Sequence, residues 1–174
     1  MTDTILTTGQ LAQADVFKAI AMADMAMRAA IAEFGEMPGW EGRRGAFFCA
    51  RHVQDPCPFL TVRLGDVRQD KAEKYRHFSQ EKAKRLAANF DIGHVSSWQS
   101  QNEAEEKYPG AVRMHNLMFS LSGFPGLGDE AICLAALCLF RNGSSAVIDQ
   151  ARKIAALSNN PYFRKLLVAL MQRA

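Results

Sequence analysis

Four histidines, His52, His77, His94 and His115, are the side chains of this sequence best suited to hold a metal. A haem iron takes one or two strong axial donors, usually His, Met or Cys, in an apolar pocket. His94 falls in a polar, irregular stretch beside Trp98, where a side chain is free to meet a ligand. It is the first candidate donor and His77 the second. The bland reading stands beside each: His77 is on the polar face of a helical pattern, His115 in a tight turn, and His52 at a strand end. Cys57-Pro58 adds a thiol, for which a turn cysteine is the better reading.

The stretch FSLSGFPGLGDEAICLAAL, residues 119–137, offers a different chemistry. A glycine-rich corner runs into an apolar helix, and the free N–H groups of a helix start attract carboxylates and phosphates. The spacing matches neither GxGxxG nor GxxxxGK[ST], and Asp129-Glu130 put two negative charges where an anion would sit. The glycines therefore read first as a means of packing strand against helix, with ligand binding at Ser122 and Gly123 the minority alternative. No GxSxG, HExxH or EF-hand pattern occurs, and no nucleophile is nominated. Met22, Met25, Met27, Met114 and Met118 read as core filler, although such a wall also suits a flat apolar cofactor.

The whole chain sets the frame. Its 174 residues are enough for one domain with a full core, 1–174. A net charge of +3 and no Lys/Arg run longer than two residues argue against nucleic acid, and Arg43-Arg44 reads as part of a solvated loop. No apolar run approaches the ~18 residues of a membrane span. Met1-Thr2-Asp3 carries an acid where a signal peptide would carry Lys or Arg. The cysteines lack CxxC spacing and read as buried free thiols, which suits the cytoplasm.

The elements that would position these residues follow from periodicity. Thr7-Thr8-Gly9-Gln10 has capping-box spacing, and apolar residues from Val16 to Phe34 recur at helical spacing, predicting a helix over 9–34. Strands are expected over 46–53 and 59–64 with a turn at 54–58, and a second amphipathic helix over 68–90. A further hairpin pairs 110–114 with 117–121 through His115-Asn116, with Asn able to take positive φ. Asp129 is expected to cap a helix over 130–141 that stops at Asn142-Gly143. Two more helices follow, one over 145–157 and one starting at Asn160-Pro161.

Several of these stretches resemble the GlcG/HbpS-like haem-binding family, which includes the C-terminal domain of PduO-type proteins. They are FKAIAMADMAMRAAIAEFGE, SQEKAKRLAAN, Tyr108-Pro109-Gly110-Ala111-Val112, and Leu121-Ser122-Gly123 followed by Asp129-Glu130-Ala131. The likeness covers roughly residues 10–140 and leaves 144–174 as a helical extension. It implies an α+β (α/β) fold with a profilin-like antiparallel sheet of four or five strands flanked by helices. It also implies a homodimer or larger oligomer and a non-enzymatic protein for haem or another small cofactor. The alternatives are an enzyme on a small metabolite in the same cleft and a ligand-free regulatory subunit. The family's VDxGGxL hairpin is replaced here by ARHVQDPCPFLTV. In folds of this type the ligand groove would be lined near Arg76, His77, His94, Trp98, Ser122 and Gly123, with Arg76, Lys84 and Arg113 facing carboxylates.

Overall fold

The computed structural model describes residues 13–53 and 60–172. Helix α1, Gln13–Phe34, leads into β1, Arg44–His52, and β2, Leu60–Asp66; α2, Gln69–Ala88, follows. Two short 3-10 turns, Ser97–Ser100 and Glu103–Glu105, precede β3, Ala111–Met114, and β4, Leu117–Ser122. Helices α3, Gly126–Phe140, α4, Ser145–Leu157, and α5, Phe163–Met171, complete the chain. Cys57-Pro58 and the capping box at Thr7-Thr8-Gly9-Gln10 lie outside the described residues.

The four strands form one antiparallel sheet in the order β2-β1-β4-β3. Side chains of a strand alternate between its two faces. Ala46, Phe48 and Ala50 of β1, with Leu117, Phe119 and Leu121 of β4, enter the main core shared with α1 and α3. The other face carries Cys49, Arg51, Met118 and Ser120 beneath α2. The fold is thus α+β, as the periodicity predicts, with helices on both faces of the sheet.

Helix α3 is the centre of the molecule. It is buried from Gly128 to Cys138 without interruption, so it is apolar on all sides rather than amphipathic. The sheet covers it on one side and α1, α4 and α5 on the others. Phe163, Leu166, Leu167 and Leu170 of α5 are buried in this core, as are Ala151, Ile154 and Ala155 of α4, so both helices share it. Polar bonds confirm the join. The buried Glu130 carboxylate accepts from the hydroxyls of Ser96 and Ser158 and from Asn160 Nδ2 at 3.0 Å. Asn160 Oδ1 in turn accepts from the N–H groups of Tyr162 and Phe163 just ahead of α5.

Three local expectations are corrected. Helix α3 starts at Gly126, and Asp129 sits in its first turn. From there Asp129 Oδ1 accepts from the N–H of Phe124 at 3.0 Å, reaching back over the corner. In the β3–β4 hairpin the left-handed residue is His115, at φ 51°, and not Asn116. Histidine is one of the few side chains enriched there. Helix α5 begins at Phe163, with Pro161 before it rather than in its first turn.

Candidate functional site

A single stripe of α2 forms one wall of a cleft against the corner before α3, smaller than a groove of about 610 Å³ between α4 and α5 but richer in charged and aromatic side chains. Lys71, Lys74, Tyr75, Phe78 and Lys82 fall at helical spacing and face the corner at Ser122 to Gly126. Arg43, Tyr108, Phe124 and Asp129 complete the lining of a cavity of about 360 Å³. A second hollow of about 250 Å³ lies alongside, lined by Glu41, Arg44, Asp66 and Arg68 among others. The two share Arg43, Lys71, Tyr75 and Gly123, which form a common waist.

The glycines at the corner answer the packing question. A Cβ on Gly123 would stand 2.6 Å from Cβ of Ala46, one on Gly126 2.7 Å from Cγ of Pro109, and one on Gly128 2.5 Å from Cζ2 of Trp40. Each glycine is therefore required by close approach, as the first reading holds. Ser122, Gly123 and Gly126 nonetheless line the cleft. The two acids that argued against an anion are both engaged elsewhere. Glu130 turns away towards Ser96, Ser158 and Asn160. Asp129 Oδ2 meets the ammonium of Lys82 at 2.8 Å, with both side chains 2% exposed.

Lys82 also donates to the carbonyl of Leu121 at 2.9 Å, tying α2 to the end of β4. Burial pushes the Asp129 carboxyl up to about 6, while Lys82, the Phe124 N–H and Arg43 pull it down. The pair is neutral as a whole, so it adds no net charge to the cleft floor.

Arg43 is fixed differently. Its Nε donates to the carbonyl of Gly39 at 2.6 Å, and one terminal nitrogen donates to the carbonyl of Gly123 at 2.8 Å and to the Tyr75 hydroxyl at 3.3 Å. All three acceptors are neutral. A guanidinium has five N–H groups, and the second terminal nitrogen has no partner among the described residues. The result is a pre-set cation at the waist with no ion-pair partner among the described residues, although its field reaches the Asp129 carboxylate.

The residues nominated by the sequence divide. Ser122 and Gly123 line the cleft; Arg76, His77, His94 and Trp98 do not. Arg76 and His77 are exposed on α2, roughly 140° and 120° to either side of the cleft-facing stripe at 3.6 residues per turn. Arg76 is bound to Glu73 at 2.7 Å, and the His77 ring lies 5.6 Å from that of Phe78. Half-buried Trp98 sits in the first 3-10 turn. His94 is half-buried, and its Nδ1 has no hydrogen-bond partner among the described residues. Arg113 donates to the His94 carbonyl at 3.1 Å and stacks 4.5 Å over Phe90.

No histidine, methionine or cysteine lines the cleft, so its donor set does not fit a haem held through such a ligand. Among the described residues no group of three or more His, Cys, Asp or Glu could hold a metal ion. No described helix is long and apolar enough to cross a membrane. No family model, curated protein or solved structure matches the chain. The likeness to the GlcG/HbpS-like family thus rests on the short motifs alone.

Proposed function

We propose that the protein binds a small anionic molecule in the cleft between α2 and the corner before α3. The observation that carries this is Arg43, oriented by three neutral oxygens with donors to spare. A cavity of about 360 Å³ is also in the usual range for small-molecule sites, about 300–1,000 Å³. Titration calorimetry with phosphate, malonate and haemin tests the reading. Arg43→Gln is expected to weaken the anion that binds by roughly ten- to a hundredfold, the loss of one or two charge-assisted hydrogen bonds. Affinity unchanged in that variant, or no heat with any anion, would remove the proposal.

The second reading, a tetrapyrrole ligated by His94, draws on the free Nδ1 of that residue. It calls for a Soret shift with haemin that vanishes in His94→Ala. A shift that survives the substitution, or none at all, counts against it.

Two further parts of the reading concern setting and assembly. Cys49, Cys133 and Cys138 are buried free thiols, and burial raises all three, Cys49 and Cys138 to about 11. Inert thiols of this kind support a reducing compartment such as the cytoplasm. On the outer face of α1, Phe17 is 62% and Met25 48% exposed, which supports a homo-oligomer. Light scattering at micromolar concentration should then give a mass well above 19.3 kDa. A monomer mass would reject this assembly.

A further inference from the structure

We infer that the anion is a phosphate monoester carried on a flat ring, a conclusion that rests on the anion-binding reading above and specifies both halves of the ligand. The charge comes first. Six basic and three acidic side chains line the cleft and its adjoining hollow, an excess equal to the formal +3 of the whole chain. Most of these charges are already engaged. Lys82 pairs with Asp129, Arg68 with Asp70, Asp66 with Arg63, and Lys74 with Glu106 at 3.7 Å. Glu41 accepts from the N–H of Gly39, a neutral donor, and so keeps its charge. Arg43, Arg44 and Lys71 remain without a carboxylate partner among the described residues, and two of them form the waist. A phosphate monoester carries a charge of about −1.5 to −2 near neutral pH and three acceptor oxygens, against one charge for a carboxylate. The Tyr75 hydroxyl accepts from Arg43, so its own proton is free for one of those oxygens.

The ring follows from what stands next to the waist. Tyr75, Phe78, Tyr108 and Phe124 line the cleft side of it. Phe78 and Tyr108 meet edge to face, 5.5 Å apart at 89°. Tyr75 and Tyr108 are half-buried and leave ring surface open to a flat partner. A ring esterified at the phosphate would lie against this wall while the phosphate stays at Arg43 and Lys71.

Calorimetry with phenyl phosphate, cyclohexyl phosphate, benzoate and inorganic phosphate tests both halves without altering the protein. Phenyl phosphate should bind at least about tenfold tighter than each of the other three, the scale of one good aromatic contact or one extra charge pair. Phe78→Leu should reduce that advantage and leave inorganic phosphate unchanged. Equal affinity for phenyl phosphate and phosphate, or for the phenyl and cyclohexyl esters, overturns the ring. Equal affinity for benzoate and phenyl phosphate overturns the phosphate. If malonate binds through Arg43 and no phosphate compound does, this inference falls and the anion-binding reading stands. If no anion binds, both fall.

Discussion

Lys82→Met is expected to lower stability by about 3–5 kcal/mol near neutral pH. Its ammonium and the Asp129 carboxylate are both 2% exposed and lie 2.8 Å apart, so removing the cation strands a charge in the interior. The loss should depend on pH in a defined direction. In the wild type, burial raises the Asp129 carboxyl from 3.8 to about 6. The folded state therefore holds a proton that the unfolded chain gives up, and this group's contribution to stability falls as pH rises from about 4 to about 6. Without Lys82 the upward push of burial acts with less opposition, and the window extends to higher pH. Denaturant melts should thus show Lys82→Met approaching the wild type as the buffer moves from about pH 8 to about pH 5. Adding Asp129→Asn to Lys82→Met should recover part of the loss at about pH 8, since the stranded charge is gone. A deficit independent of pH and untouched by the second substitution would show that Asp129 is not the group left behind.

Glu130→Ala is expected to cost about 2–4 kcal/mol, from the scale of roughly 1–3 kcal/mol for each buried polar group left unpaired. Ser96, Ser158 and Asn160 all donate to this carboxylate. The cost stays below three full penalties for two reasons. Ser158 also reaches the carbonyl of Ala155 at 3.2 Å, and Asn160 that of Leu127 at 2.8 Å. Amide exchange offers the sharper readout, because loss of the shared acceptor should raise exchange in α4 and α5 before it does so in the sheet. Uniform exchange across all elements, or a stability change under about 0.5 kcal/mol, the usual surface value, would contradict the assignment.

The architecture was legible in the sequence because each element there carries its own period. The amphipathic helix expected over 68–90 is α2, which buries Phe78, Ser79, Lys82, Ala83 and Leu86 along one face. The site was less legible. Histidines were chosen for their chemistry, and periodicity had already set His77 apart from the buried stripe. Nothing local marked Arg43, which read as a solvated loop residue. Its geometry depends on the Gly123 carbonyl, 80 positions further along the chain. Glu130 stands immediately before the apolar run AICLAALCLF, where it read only as a negative charge at a helix start. Such an acid must be hydrogen-bonded if the helix is buried. Its partners lie 28 to 34 positions away, so their identity was not readable.

The placing of Glu130 also sets a timetable for biosynthesis. Domains fold as units while the chain emerges from the ribosome. When β4 and α3 have appeared, Glu130 can find Ser96, which precedes it, but neither Ser158 nor Asn160. Until α4 and α5 arrive, the outer side of α3 stays wet and Glu130 keeps a hydration shell that the finished interior excludes. A nascent chain halted near residue 143 is thus held short of its native state with an apolar surface exposed, a form open to chaperones and proteases.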